Sequence, residues 1–332
     1  MKSLTKLTLA TISFLCSALP PLPSSAGEPV SKQVPARVEL HQIHTLTLSD
    51  AEFLKGESND NQVSVSGQLR IAQGLGRLPV VMILHGSGGI GSNIDIWSRE
   101  FNEMGISTFV IDSFTGRGLT NVNSDQAALG RLNMILDSYR ALEILIKHPR
   151  VDPSRIALMG FSRGGQATLY ASLKRFHQTW NRSGLEFAAY LPFYPDCMTT
   201  YVSDSDVADR PIRIFLATLD DYNPAAPCKA FVTRLQGAGR DIQFTEYPNA
   251  SHAFDVPLGS LKPAVMQGGQ TVRNCTIREE PVGQLINAAT KVPFTYKDPC
   301  VELGPHLGYD PAATQSAKQT IKKFLNAVFK LE

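Results

Sequence analysis

The sequence predicts an α/β fold in which a mainly parallel sheet carries helices on both faces and opens with antiparallel edge strands. Three patterns lead there. Short continuous apolar runs recur along the chain, the mark of strands covered on both faces. Between them lie stretches with apolar residues three and four apart, as in helices that bury one side. The first strand-like segments instead alternate apolar and polar residues, which suits an exposed sheet edge. Repeated strand–helix units favour parallel neighbours joined by crossovers.

The chain has 332 residues, 43% hydrophobic and 19% charged, ordinary values for a globular protein. At this length a single core can bury roughly three quarters of the unfolded surface, so one large domain fits as well as two. Basic and acidic residues nearly balance, 32 against 30. Without a basic stripe there is nothing for nucleic acid or an anionic membrane to hold, and small-molecule partners are expected.

Residues 1–26 differ from the rest. Lys2 and Lys6 precede a mostly apolar run over 7–19, and Ser24-Ser25-Ala26 leads into Gly27. That is the layout of a secretory signal peptide cleaved after Ala26, which leaves a mature chain without net charge in the periplasm or outside the cell. The run is shorter than the ~20 residues a span needs, so stable membrane insertion is not expected. Ser13-Phe14-Leu15 before Cys16 lacks the small residues of lipoprotein processing. Cys197, Cys228, Cys275 and Cys300 remain after cleavage. An even number in an exported chain points to disulfides, with three connectivities open. Neither a C-x-x-C spacing nor a histidine pair suggests a metal site, and no metal is expected.

Residues 27–36, with Pro29 and Pro35, read as a mobile leader. Residues 38–48 and 62–71 are the alternating strands, and Gly74 and Gly76 mark a turn over 72–78. The buried series begins with Val80-Val81-Met82-Ile83-Leu84 and continues at 107–111, 156–159, 187–191, 212–216 and 242–247. Ala128, Leu132, Ile135, Tyr139, Leu142 and Ile146 form one helical stripe, which Pro149 ends. A last helix around 314–329 places Ala317, Ile321, Phe324 and Val328 on one face. Residues 255–311 break the rhythm and read as an excursion stapled by Cys275–Cys300, a link worth on the order of 3 kcal/mol. Cys197 and Cys228 lie just beyond the ends of consecutive strands, so the pair Cys197–Cys228 is geometrically favoured. From residue 27 onward a single domain is expected.

The chemistry centres on Gly160-Phe161-Ser162-Arg163-Gly164, which continues a strand and precedes a helix expected to start near Gln166. Strand, sharp turn and helix are the setting of a nucleophile elbow. A serine hydroxyl needs a base to take its proton and an acid to orient that base. His252 follows the last strand in Pro248-Asn249-Ala250-Ser251-His252, whereas His306 has no such placement. Asp220 and Asp221 both end the preceding strand; Asp220 is preferred, with Asp221 as the alternative. Charge on a substrate oxygen needs fixed N–H donors. The backbone of Arg163 and that of Ser87, in His85-Gly86-Ser87-Gly88-Gly89, are the candidates. Trp97, Phe114 and Tyr222 are expected to line an apolar pocket. The Arg163 side chain is equally compatible with an anionic substrate group, solvent or a structural ion pair.

Gly86-Ser87-Gly88-Gly89-Ile90-Gly91 also matches a dinucleotide-binding G-x-G-x-x-G, with Asp112 in the place of its acid. This oxidoreductase alternative is disfavoured. Asn93 and Asp95 suggest a later helix start, and it would leave the serine, aspartate and histidine placements as coincidences.

These blocks resemble the dienelactone hydrolase family of the α/β-hydrolase superfamily, and its exported members in particular. The resemblance runs over about 60–330. It rests on the stretch from Leu84 to Gly89, Asp112-Ser113-Phe114 with Arg117-Gly118, His148-Pro149-Arg150-Val151-Asp152-Pro153, Gly160 to Gly165, the segment from Asp220 to Cys228, and Tyr247 to Asp255. It implies an α/β-hydrolase fold, a Ser162–His252–Asp220 triad without cofactor, and oxyanion donors at Ser87 and Arg163. Founding members carry cysteine at the nucleophile. Ser162 therefore implies general carboxylesterase chemistry through an acyl-enzyme, on an ester or lactone substrate. A peptidase or acyltransferase using the same residues is the alternative, and a non-catalytic binding protein a more distant one.

Overall fold

In the computed structural model, residues 31–257, 261–281 and 283–331 are described; the signal peptide expected over 1–26 lies outside them. Strand β1 (Arg37–Leu46) pairs antiparallel with β2 (Gln62–Ile71) over its whole length. Helix α1 (Asp50–Lys55) lies between them and starts on a capping box. Ser49 Oγ accepts from Glu52 N, and the Glu52 carboxylate accepts from Ser49 N. This satisfies donors that the helix start cannot bond internally.

The rest of the main sheet follows as strand–helix units. In order they are β3 (Leu78–Leu84), α2 (Ser92–Glu103), β4 (Ser107–Asp112), α3 (Asn133–Leu145), β5 (Val151–Phe161), α4 (Arg163–Tyr170) and α5 (Lys174–Trp180). Then come β6 (Ala189–Phe193), the short β7 (Thr199–Thr200), β8 (Ile212–Ala217), α6 (Ala225–Gly237) and β9 (Ile242–Tyr247). The eight-stranded sheet has the order β1-β2-β4-β3-β5-β6-β8-β9. β2 is antiparallel to both its neighbours, and every pair from β4 to β9 is parallel. This is an α/β-hydrolase fold, and the expected antiparallel edge is present.

Alternation along β3 shows how the layers form. Val80, Met82 and Leu84 pack with Leu136, Tyr139 and Leu142 of α3. Val81 and Ile83 face the other way, with Trp97 and Phe101 of α2 and with Ile321 and Leu325 of helix α7 (Pro311–Phe329). All five residues are fully buried, each contributing roughly 1.5–3 kcal/mol of apolar burial. A fully buried ion pair ties β1 to α3. Arg117 reaches both Asp137 oxygens, at 2.7 and 2.8 Å, and donates to Leu46 O at 2.8 Å.

The excursion is more ordered than its sequence suggests. β10 (Ala264–Val265) pairs with β15 (His306–Leu307), and β11 (Gln270–Thr271) with β14 (Glu302–Leu303). β12 (Ile277–Glu280) joins β13 (Gln284–Asn287) on one side and β7 on the other. Strands of two to four residues leave no usable periodicity. The disulfides Cys197–Cys228 and Cys275–Cys300 are formed. Among the described residues, no helix is long and apolar enough to cross a membrane.

Three helix starts differ from expectation. α3 begins at Asn133, not near Ala128, because a Cβ on Gly130 would lie 2.6 Å from Leu48 O and the chain is pinned there. Asn133 holds that contact, accepting from Leu48 N at 2.8 Å and donating to Leu48 O at 2.7 Å. α2 starts at Ser92, directly after Gly91, so Asn93 and Asp95 do not mark a later start. α4 starts at Arg163, immediately after the serine, rather than near Gln166.

Candidate active site

Ser162 sits between the end of β5 and the first turn of α4, with φ 54° and ψ −112°. Non-glycine residues rarely adopt positive φ, and a sharp turn that lifts the side chain off the sheet is where the cost is tolerated. Close packing enforces the turn. A Cβ on Gly160 would lie 2.1 Å from Gly164 O, and one on Gly164 would lie 2.4 Å from His85 O. The serine backbone is held on both sides: its N–H donates to Phe193 O at 3.0 Å, and its carbonyl accepts from Gln166 N at 2.8 Å.

Two other strand ends bring up the partners. Asp220 follows β8, and its side chain is fully buried. Its Oδ1 accepts from Tyr222 N at 3.0 Å and Asn223 N at 2.8 Å, which orients the carboxylate. Oδ2 lies 2.8 Å from His252 Nδ1, in the loop after β9. The other ring nitrogen, Nε2, lies 3.0 Å from Ser162 Oγ. With an ionised carboxylate as acceptor, Nδ1 carries the proton and Nε2 presents its lone pair to the serine. The imidazole is packed between Tyr194 and Tyr222, with ring centroids 4.6 and 4.7 Å away.

Asp221 faces elsewhere. It accepts from His306 N and His306 Nδ1, both at 2.8 Å, and from Arg273 Nη1 at 2.9 Å. Burial raises its pKa, but these hydrogen bonds and the His306 and Arg273 charges outweigh that and hold the carboxyl below its ordinary value. Consecutive aspartates thus serve two histidines, and Asp220 takes the one beside the serine.

Ser87 lies on the loop after β3, where Gly89 N donates to Gly86 O at 3.1 Å and closes a tight turn. A Cβ on Gly86 would lie 3.4 Å from Ser162 Cβ, so loop and serine are in contact range. Arg163 occupies the first turn of α4, where backbone N–H groups have no intrahelical acceptor. His85 anchors the loop. Its Nε2 accepts from Ser113 N at 3.1 Å and its Nδ1 donates to Gly86 O at 2.8 Å. Burial lowers its pKa, which favours the neutral ring these bonds require.

A cleft of about 180 Å³ opens at the serine and histidine. Ile94, Phe161, Tyr194, Val256, Met266 and Leu307 supply much of its wall. The last three belong to the excursion, which therefore covers one side. A second chamber of about 30 Å³, lined by Arg131, Asp196 and Gln166, also borders Ser162. Tyr222 borders both, and burial pushes its hydroxyl up to about 12.

Two expected lining residues are placed elsewhere. Trp97 is buried in the core between sheet and helices, stacked on Phe101, with Nε1 donating to Asp255 Oδ2 at 2.8 Å. Phe114 is buried with Val122 and Leu129, and its ring meets His85 edge-on at 4.4 Å. Nearness to a loop in sequence does not say which layer an aromatic ring enters. The Arg163 side chain is also turned inward. It is 5% exposed and donates to Gln126 Oε1 at 2.7 Å and to Leu129 O. Burial lowers its pKa.

Sequence patterns did not single out Gln126, Arg131, Tyr194 or Asp255. Tyr194 carried a usable signal, since it directly follows β6 at the same rim as Ser162. Its hydroxyl donates to Asp255 Oδ1 at 2.6 Å, a buried carboxyl whose pKa desolvation raises. Gln126 opens a single 3₁₀ turn over Gln126–Ala128, too short to show periodicity, and carried none.

Asp112, the acid of the dinucleotide alternative, caps its own turn by accepting from Phe114 N and Thr115 N at 2.9 Å. Among the described residues, Glu39, His41 and His148 form the group with metal-ligand spacing. They lie at the amino ends of β1 and β5, away from Ser162. His148 Nδ1 accepts from Arg150 N at 3.2 Å, so Nε2 carries the proton facing Glu39 at 3.1 Å. A metal ligand would need the opposite tautomer, and these residues read as a hydrogen-bonded cluster.

A family model described as "Dienelactone hydrolase family" matches residues 66–329. No curated protein matches. Among solved structures, a dienelactone hydrolase-like promiscuous phosphotriesterase from metagenomic libraries is 15% identical with a TM-score of 0.54, covering 88% of this chain and 98% of its own. A structure described as m3DLH is 18% identical with a TM-score of 0.54 and the same coverage. At these identities the structural likeness concerns the fold.

Proposed function

We propose, from the premise that this chain belongs to the dienelactone hydrolase family, that it is an exported serine hydrolase cleaving carboxylic esters, lactones included. One observation carries this reading: Ser162 Oγ, His252 Nε2, His252 Nδ1 and Asp220 Oδ2 form a continuous relay with spacings of 3.0 and 2.8 Å.

In the proposed cycle His252 Nε2 takes the serine proton as Oγ attacks the ester carbonyl carbon. The carbonyl π pair becomes an oxyanion facing the N–H groups of Ser87 and Arg163. Asp220 steadies the imidazolium, which then protonates the leaving alkoxide, and an acyl-enzyme remains. Water attacks the acyl carbon, His252 takes its proton, and the acid departs with Ser162 restored. The apolar cleft suits a hydrocarbon portion of the ester. Two disulfides are compatible with an oxidising compartment.

A panel of esters of graded chain length, run on residues 27–332 and on its Ser162→Ala variant, tests the assignment. The variant is expected to lose at least about 10³-fold in kcat. Equal turnover by both proteins rejects the mechanism.

A further inference from the structure

The two proposed oxyanion donors stand on different elements, Ser87 on a loop and Arg163 on a helix. Such donors stabilise charge only if held at the right separation before it develops, so whatever spans them matters. Their side chains converge on one carboxamide. Gln126 Nε2 donates to Ser87 Oγ at 3.0 Å, and Gln126 Oε1 accepts from Arg163 Nη1 at 2.7 Å. A guanidinium can only donate, which fixes the amide orientation: oxygen toward Arg163, NH₂ toward the hydroxyls.

The same NH₂ group donates to Tyr222 OH at 3.1 Å, and the Tyr222 ring packs 4.7 Å from that of His252. Gln126 is itself held. It is 6% exposed, and its backbone N–H donates to Gln270 Oε1 of the excursion at 2.8 Å. The buried Arg163 cation polarises the amide, and in a low-dielectric interior this strengthens donation to Ser87.

We propose that Gln126 is a positioning residue for the reaction, a side-chain strut that sets the spacing of the Ser87 and Arg163 backbone donors and ties it to docking of the excursion through Gln270. The inference rests on the serine-hydrolase reading above. It goes beyond that reading by assigning a role to a residue outside the relay.

The test compares wild type, Gln126→Met, Gln126→Glu, Gln270→Ala and Ser162→Ala. Each is assayed for ester hydrolysis per titrated active site and for inhibition by an aryl trifluoromethyl ketone. Addition of Ser162 Oγ to that ketone forms a tetrahedral adduct, with the serine proton passing to His252 and the carbonyl π pair becoming the oxyanion. Gln126→Met keeps side-chain length but removes every polar contact. It is expected to lower kcat about 10- to 100-fold, with KM changed less than about threefold, because the strut acts only where the oxyanion exists. Ketone affinity should fall by the same factor as kcat/KM.

Gln126→Glu keeps an acceptor for Arg163, and the two hydroxyls can turn to donate to it. Its kcat and ketone affinity should lie between those of wild type and Gln126→Met. Gln270→Ala should show the same pattern at about two- to fivefold. If Gln126→Met does not fold, the Glu and Gln270→Ala variants decide by the same ratio. A merely structural role would reduce the titrated fraction and leave kcat per site and ketone affinity unchanged, which overturns the proposal. Wild-type turnover by Ser162→Ala would remove the serine reading and this inference together. An inactive Ser162→Ala beside unaltered Gln126 variants removes the inference alone.

Discussion

Replacing Asp220 by Asn changes one atom and, through it, one tautomer. Asp220 Oδ1 accepts two backbone N–H groups, at 3.0 and 2.8 Å, and Oδ2 faces His252 Nδ1 at 2.8 Å. An asparagine keeps its oxygen on the two backbone donors and must turn its NH₂ toward Nδ1. The imidazole proton then sits on Nε2, 3.0 Å from Ser162 Oγ, and the ring cannot accept the serine proton. A misplaced tautomer of this kind costs about 10⁴-fold in kcat, or about 5.5 kcal/mol of barrier.

Asp221→Asn is the matched control. Its carboxylate is 36% exposed and pairs with Arg273 and His306 rather than His252. Its loss is expected to cost at most about 1 kcal/mol of stability and to leave kcat within a few-fold. Steady-state hydrolysis of a p-nitrophenyl ester between pH 5 and 9, with urea unfolding of each protein, provides the comparison. The reasoning is refuted if Asp220→Asn stays within tenfold of wild type, or if Asp221→Asn loses as much.

Acid should weaken the fold through carboxyls that the folded state holds low. Burial raises the pKa of Glu39, but His148, Arg37 and His41 together bring it below its ordinary value, and Asp221 is likewise lowered. Such groups contribute stability above their unfolded pKa and lose it as pH falls through the folded one. The melting temperature should therefore drop below about pH 4, and less steeply in Asp221→Asn; identical pH slopes would count against this. Changing Cys275 and Cys300 to Ser reopens a loop of sequence separation 25. Urea unfolding should show a loss of about 3 kcal/mol, and a loss under about 1 kcal/mol would mean that other contacts staple the excursion. Met266→Ala should widen the cleft and raise kcat/KM for longer esters over shorter ones by a few-fold per added methylene. An unchanged chain-length profile would place the substrate elsewhere.

What the sequence discloses depends on how many residues carry each signal. Residues 80–84 are buried on both faces, so five apolar side chains in a row mark β3 in the sequence itself. The elbow was legible because steric demand leaves a pattern: Gly160 and Gly164 stand where any side chain would meet backbone within 2.4 Å. Choosing between Asp220 and Asp221 needed the fold, since side-chain direction at a strand end is set by the local turn. The layer entered by Trp97 and Phe114 was hidden for a related reason, as burial depends on elements far away in sequence. The two-residue strands of the excursion exist through pairing alone. Gln126 is the extreme case, a polar residue at the start of a three-residue 3₁₀ turn whose partners are 37, 39 and 96 positions distant.

The adjacent aspartates also join excursion and relay mechanically. Asp221 holds His306, and the neighbouring Leu307 forms a parallel bridge with His252 and lines the cleft. Gly308 N then donates to His252 O at 3.0 Å. The backbone of the imidazole-bearing residue thus rests on the returning arm of the excursion. Ser162 is fixed independently, by Phe193 O on the sheet and by Gln166 on its own helix. Loosening the excursion should therefore move the base before it moves the nucleophile. Variants at the Asp221–His306 contact that impair turnover are expected to do so through proton transfer, with a larger solvent isotope effect on kcat, while a phosphonate that needs only the activated serine and the oxyanion donors slows in proportion. An isotope effect equal to that of wild type would mean that the excursion shapes the cleft and leaves the base alone.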